Sequence, residues 1–320
     1  MKLIIFDVGN AFCSLVSSPN GYGLMVDCGS NEDKENPVDA IYRYRNWLQL
    51  RSYVTRQGMS YPLGLLHITH PDEDHVRNAA RIKKELTPYL MHKTKWEEFP
   101  DGTDIYNEYR TLLDNCYRGS NPEAIDWGFD INKTFSIPIE VVRNNPKLKD
   151  KVCNNSSILR YIAYNGVKVL FTGDLESAGW EWLIAHDQDF VQTIKYGVDI
   201  LIAPHHGHKS GFPKALFDVI GNVKMVIHSK DSEAGKDGTD VATQYSNYAC
   251  GAVYNVINGT PREGKVLTTR SNGNICIEIK DRAFDIWTEQ ASSNHTPLYQ
   301  TNVNVTNRIK VKKMRLIHRV

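Results

Sequence analysis

The sequence predicts an α/β sandwich whose functional residues gather at the ends of its strands. Three observations lead there. Short runs of β-formers are mixed with stretches of helical spacing along most of the 320 residues. Several of those runs stop at or just before metal-ligand types: Leu63 to Thr69 before His70, Val167 to Thr172 before Asp174, and Val198 to Ala203 before His205 and His206. One of the loops so reached, THPDEDH at 69–75, sets His70, Asp72, Asp74 and His75 within six positions.

The chain opens as an antiparallel meander. KLIIFDVG at 2–9 reads as a strand, Phe12 to Ser17 as a second, Pro19-Asn20-Gly21 as a turn and Gly23 to Asp27 as a third. Val38 to Leu50 has helical spacing, with Ile41, Tyr44, Trp47 and Leu48 on one side. Leu63 to Thr69 is the buried strand that delivers the 69–75 cluster. A helix from Val76 to Leu86 follows, with Asp72, Glu73 and Asp74 just before its first turn, where negative charge is favoured. From there to about 150 the chain is polar and irregular, with Trp96, Phe99, Tyr106, Tyr109, Tyr117, Trp127 and Phe129 interleaved. Ile105 to Asn115 is expected as a helix and Ile137 to Val142 as a strand.

Ser157 to Tyr164 and Val167 to Thr172 flank Asn165-Gly166, a favoured hairpin turn. Ala178 to His186 reads as a helix and Val198 to Ala203 as a buried strand. Helices at Lys214–Ile220 and Thr243–Cys250, and strands at Lys224–Ser229, Val266–Thr269 and Asn274–Ile279, complete the core. Residues 302–320 carry six Lys or Arg and no Asp or Glu. The expected division is a main domain at 1–280, with an insertion at about 88–150, and a basic C-terminal extension at 281–320.

A formal net charge of +1 excludes a chain-wide attraction to nucleic acid, leaving local basic patches open. No apolar run is long enough for a membrane span, and the N-terminus lacks the pattern of a secretory signal. The six cysteines are scattered without a C-x-x-C pair, so reduced thiols in a cytoplasmic protein are expected, not a disulfide framework or thiolate zinc site.

THPDEDH at 69–75, FTGD at 171–174 and APHHG at 203–207 agree in order with FDVGNAF at 6–12 and MVDCG at 25–29. Together they resemble the metallo-β-lactamase fold superfamily, closest to the hydrolase domain of the bacterial DNA-uptake protein ComEC and its soluble relatives. The resemblance implies a four-layer αββα sandwich with one or two divalent metal ions between its sheets. It implies His70 and Asp72 on a first ion, Asp74 and His75 on a second, Asp174 bridging them, and a further imidazole from His205 or His206. Asp72 stands where the superfamily has a second histidine, which hardens the site and brings Mn²⁺ or Mg²⁺ into competition with Zn²⁺. The motif also departs at 153–157, where Cys-Asn-Asn-Ser-Ser replaces a usual metal histidine and Asn155 is expected to line the site. At His208 it departs from a usual serine, with Lys209 and Ser210 left to hold a substrate phosphate.

Two ions about 3.5–4 Å apart can share a carboxylate and a hydroxide, which is a nucleophile at neutral pH. The expected activity is therefore hydrolysis of phosphodiester bonds, by a nuclease or a small phosphodiesterase, with Asp74 and His205 or His206 in catalytic roles. A lactone, amide or thioester hydrolase of the same fold, and a catalytically silent binding module, are the other readings. The aromatic 89–129 stretch is a lid, a base-stacking surface or a packed subdomain. The basic tail offers contacts to phosphate, to a protein partner or to an edge of its own sheet.

Overall fold

The computed structural model describes residues 1–94, 125–231 and 242–290 and the backbone of 296–297. The strands in chain order are β1 (Lys2–Ile5), β2 (Cys13–Ser17), β3 (Gly23–Cys28), β4 (Tyr53–Val54), β5 (Ser60–Tyr61) and β6 (Leu63–His67). Next come β7 (Pro88–His92), β8 (Ile131–Phe135), β9 (Leu159–Tyr164), β10 (Val167–Phe171), β11 (Ile200–Ile202) and β12 (Met225–His228). The last are β13 (Ala252–Val256), β14 (Arg262–Gly264), β15 (Val266–Thr268), β16 (Ile275–Lys280), β17 (Ala283–Thr288) and β18 (Thr296–Pro297). One sheet runs β18-β14-β13-β17-β16-β1-β2-β3-β6-β7, a second runs β15-β12-β11-β10-β9-β8, and β4 and β5 form a separate hairpin.

Side-chain alternation along these strands sorts the core into layers. Leu3, Ile5, Val16, Leu24 and Leu65 of the larger sheet meet Ile162, Val169, Phe171, Ile200 and Ile227 of the smaller one. Their chain neighbours Ile4, Leu15, Met25 and Leu66 face the other way, onto Val38, Ile41, Tyr44 and Ile82 of helices Pro37–Leu48 and Ala79–Glu85. On the far side Leu170, Leu201 and Val226 pack with Trp180, Leu183, Phe190, Leu216 and Phe217 of helices Ser177–His186, Gln188–Ile194 and Lys214–Ile220. The result is the four-layer αββα sandwich. Among the described residues no helix is long and apolar enough to cross a membrane.

Parallel pairing of β3 with β6 and β6 with β7, and of β10 with β11, β11 with β12 and β12 with β15, brings the C-terminal ends of the strands within each sheet together. Loops leaving those ends carry the ligand-type residues, as expected for parallel α/β sheets.

Several elements differ from expectation. The helix expected at Val76–Leu86 is two pieces, Glu73–Val76 and Ala79–Glu85. The break has a cause: Asn78 donates its N–H to the Cys28 carbonyl at 2.9 Å and exchanges amide hydrogen bonds with Asn36. Asp74 and His75 therefore sit on a short turn pinned to the end of β3. The strand expected at Ile137–Val142 is the helix Ile139–Asn144, entered from Pro138, with Ile139 and Val142 buried on one side. The strand of that region is β8, upstream. The 88–150 stretch begins with β7 in the larger sheet and contains β8 in the smaller, so both parts belong to the sandwich. Likewise β17 pairs with β16 along its whole length, carrying the sheet past the expected boundary at 280. The helix expected at Ile105–Asn115, most of the aromatics of 89–129 and the basic 302–320 tail lie outside the described residues.

Candidate metal centre

Asp27 is the fixed point of the site. It is the penultimate residue of β3 and lies in the left-handed region (φ 55°), which Asp tolerates better than most residues, and its carboxylate is fully buried. Oδ1 accepts from the Thr69 N–H at 2.7 Å, and Oδ2 accepts from Thr69 Oγ1 and from His75 Nδ1, each at 2.7 Å. Three charge-assisted hydrogen bonds thus tie the loop after β6 to the end of β3.

Those bonds also choose tautomers. With its Nδ1–H on Asp27, His75 turns Nε2 to the centre, 3.2 Å from Asp174 Oδ1. Thr69 Oγ1 spends its proton on Asp27, so at 3.1 Å it accepts from His70 Nδ1–H. His70 Nε2 is then left buried without a hydrogen-bond partner among the described residues, 4.0 Å from Asp174 Oδ2 and 3.5 Å from Asp72 Oδ2. His206 donates Nδ1–H to the Ser229 carbonyl at 2.9 Å and brings Nε2 to 3.1 Å from Asp74 Oδ2 and 3.6 Å from Asp174 Oδ2. His205 faces Glu176 Oε1 through Nδ1 at 3.1 Å and places Nε2 3.8 Å from Asp174 Oδ2. Each imidazole is tied back by one nitrogen and presents the other, the arrangement that fixes metal-binding histidines.

Asp174 lies where all four converge. It follows β10 through Gly173, whose added Cβ would lie 2.8 Å from Ser157 Oγ and 2.9 Å from Thr69 Cβ. Ser157 Oγ accepts from the Asp174 N–H at 3.0 Å. On the opposite wall, Gly29 leaves room for the Asp74 carbonyl, which accepts from the Phe12 N–H at 3.0 Å. The imidazole loop is conformationally strained: His205 (φ 50°), His206 (φ 53°) and Gly207 (φ 82°) are successively left-handed. Buried His228 fills the space a Gly207 side chain would need, so Gly207 is obligatory there.

Ligand atoms of Asp74, His75, Asp174 and His206 all lie within 4.8 Å of one another. Carboxylate oxygens and imidazole nitrogens, with the orphaned His70 Nε2 beside them, are the donor chemistry of a divalent ion site. The set fits such an ion. Burial disfavours the ionised carboxylates of Asp74 and Asp174, but His75 and His206 outweigh it and hold both well below the usual range. Burial likewise opposes the charged form of His75, yet Asp174, Asp27 and Asp74 hold it well above its usual value. His206 is raised despite its burial by Asp174 and Asp74, and His205 despite its burial by Glu176 and Asp174. Without an ion the centre is a compact set of mutually stabilising charges.

His70, Asp72, Asp74, His75, Asp174, His205 and His206 are all brought together, and it is His206 that joins the four-residue cluster. Three expectations for substrate contact fare differently. Asn155 donates its amide to the Leu148 carbonyl at 2.9 Å, and its Oδ1 stands 2.8 Å from where a Gly179 side chain would begin, so it supports the helix layer. Its neighbour Asn154 instead reaches Glu176 Oε1 at 3.2 Å. The Ser210 hydroxyl is engaged by His205 Nδ1 at 3.1 Å and His208 Nδ1 at 2.8 Å, which makes it part of the histidine loop. Lys209 is exposed. Sequence reasoning assigned no role to Asp27, Thr69, Asn154, Glu176 or Ser229. Asp27 stood inside a quoted motif, and its position at a strand end was the available signal.

The family model described as Metallo-beta-lactamase superfamily matches residues 6–211. ComE operon protein 3 of Bacillus subtilis (strain 168) is 24% identical over 216 residues, 64% of this chain, and the chain spans only 25% of that relative's length. Among solved structures, the metallo-beta-lactamase fold protein YhfI from Bacillus subtilis aligns over 85% of this chain and 98% of its own, at 11% identity and a TM-score of 0.44. Zn(2+)-bound PqqB from Methylobacterium extorquens aligns over 63% of this chain and 72% of its own, at 13% identity and a TM-score of 0.36.

Proposed function

The chain belongs to the metallo-β-lactamase superfamily, and on that premise we propose that it is a metal-dependent phosphodiesterase acting on nucleic acid or a small phosphodiester. The observation that carries the reading is the position of Asp174. It reaches His75 and His206 at 3.2 and 3.6 Å and also His205 and His70 at 3.8 and 4.0 Å, so one carboxylate can serve two half-sites. Asp74, His75 and His206 complete one half; His70 and Asp72 flank the other. Three carboxylates among these ligands favour cations that also hold phosphate oxygens, Mn²⁺ or Mg²⁺ as well as Zn²⁺. Such ions, when bound, supply an activated water and stabilise charge on a phosphoryl oxygen.

The chain's own residues would divide the remaining work. Asp27 and Thr69 keep His75 and His70 in the ligating tautomers. His205 is outside the four-residue cluster, and Glu176 holds its Nδ1, leaving Nε2 to meet the leaving oxygen. Resemblance to the ComEC hydrolase domain supports nucleic acid as the substrate class.

Asp74→Ala combined with His75→Ala is expected to abolish Mn²⁺-dependent cleavage of bis-p-nitrophenyl phosphate. Full activity in the double variant rejects the assignment. Faster turnover of a lactone than of the phosphodiester, under the same metals, would move the chain to the lactone hydrolases. Absence of stoichiometric metal after purification without chelator, and after addition of Mn²⁺ or Zn²⁺, would make it a silent module.

A further inference from the structure

A second polar cluster lies between the sheets, outside the metal centre. Arg160 is on β9, where Leu159 and Tyr161 face the outer helices and Ile162 faces the inter-sheet core, so alternation sends Arg160 inward. It is 1% exposed. Opposite it stand His67 and His92, the last residues of β6 and β7, with Nδ1 atoms 3.1 Å apart. Arg160 Nη2 is 3.5 Å from the first and 3.4 Å from the second, and Nη1 donates to Asn132 on β8.

Among the described residues no carboxylate pairs with this guanidinium, and its Nε has no hydrogen-bond partner. Burial alone pushes it down to about 9. A buried cation with neither counter-charge nor full hydrogen bonding is costly. The imidazoles do not repay that cost. His67 donates Nε2–H to the Ile158 carbonyl at 2.9 Å, so its Nδ1 is an acceptor facing both His92 Nδ1 and Arg160 Nη2, and neither neutral imidazole brings the guanidinium a counter-charge. Burial, with Arg160 next, holds both imidazoles below their usual range, so they remain neutral beside it.

The cluster is at the functional end of the sandwich. Arg160 pairs across β10 with Phe171, the residue just before Thr172-Gly173-Asp174. Ile158, which accepts from His67, donates its own N–H to the Thr69 carbonyl at 2.8 Å, one residue from His70. β7 and β8 are the edge strands of their sheets on this side, and His92 is the partly exposed member.

We propose that Arg160, with His92 beside it, forms an anion-binding subsite next to the metal centre that takes a phosphate oxyanion. The guanidinium fork matches two oxygens of one phosphate. The anion supplies the charge that the described residues do not. Its source is either free phosphate or a substrate phosphate other than the one being cleaved.

The test is titration of the full chain with inorganic phosphate in an otherwise phosphate-free buffer, by calorimetry, both Mn²⁺-loaded and after chelator treatment. Saturable binding is expected in both states, and in the chelator-treated chain it is lost in Arg160→Met and weakened roughly tenfold or more in His92→Gln. In phosphate-free buffer Arg160→Met should melt no lower than the parent chain, because it removes an uncompensated charge. A purely structural arginine would make it melt lower. If Arg160→Met fails to fold, His92→Gln decides: unchanged phosphate affinity there overturns the proposal. So does unchanged affinity in Arg160→Met, or no saturable binding by the parent chain. The two sources separate in the KM values of the thymidine dinucleotides pTpT and TpT. A preference for pTpT that vanishes in Arg160→Met identifies a substrate phosphate, and equal KM values with phosphate binding intact identify the free anion. Binding is read without turnover, so a chain that binds phosphate at Arg160 yet cleaves no phosphodiester would reject the proposed reaction and leave this subsite standing.

Discussion

Asp27→Asn isolates the charge that orders the metal centre. Asn has nearly the shape of Asp and shares its tolerance of the left-handed backbone found here (φ 55°), so the substitution adds no conformational strain. Its carbonyl oxygen can keep the bond from the Thr69 N–H. Its amide nitrogen then replaces the oxygen that accepts from both Thr69 Oγ1 and His75 Nδ1 at 2.7 Å. The threonine hydroxyl can rotate and accept instead. His75 cannot: its Nδ1–H now meets a donor, and relief requires moving the proton to Nε2, the atom that faces Asp174. Loss of one buried hydrogen bond to a charged acceptor costs about 1.5–3 kcal/mol. Removing such support from a metal-binding histidine typically costs about 10–100-fold in affinity. The expected result is therefore a 10–100-fold weaker Mn²⁺ or Zn²⁺ titration with the fold retained by circular dichroism. Unchanged affinity in a folded Asp27→Asn chain would refute the argument that Asp27 sets the His75 tautomer.

Other outcomes follow from the same geometry. Gly29→Ala would place its Cβ 1.9 Å from the Asp74 carbonyl and 2.7 Å from that of Phe12, both backbone atoms. It should lower stability by about 3 kcal/mol and weaken metal binding as Asp74 is displaced, read by thermal melts and metal titration. The metal-free protein should show opposed pH dependences. His75 and His206 are raised above 6.5, so their contribution is full below that pH and is lost as pH rises through the raised values. Asp74 and Asp174 are lowered below 3.8, so theirs is full above that pH and is lost as pH falls through the lowered values. The melting temperature without metal should peak between these limits and decline above 6.5. The metal-loaded protein should instead gain stability there as its ligands lose protons. A flat metal-free profile across neutral pH would contradict the charge balance.

Much of the centre is written in short local motifs. Four ligand types in the THPDEDH loop, with Asp174 and the histidine pair at later strand ends, are legible because each follows a run of β-formers. The expected strands mostly coincide with the observed ones for the same reason. Where local pattern was ambiguous, tertiary contacts decided. Ile139 and Val142 suit a strand or a helix equally by composition, and the burial of both, three residues apart on one side, settled the helix. The break after Val76 could not be read from helical spacing, because it depends on Asn78 bonding to Cys28 and Asn36 far upstream.

By itself the sequence determined the fold class and the family and pointed to the candidate ligands, since these depend on residue types at strand ends and on alternation within strands. Only the tertiary structure could choose His206 over His205 for the four-residue cluster. That choice rests on the left-handed turn through both, on Ser229 holding one ring, and on Glu176 holding the other. It also revealed Asp27 as the tautomer-setting carboxylate and Arg160 as a buried cation among neutral imidazoles. Both roles are made by hydrogen bonds and burial between residues distant in the chain, and no local pattern encodes those.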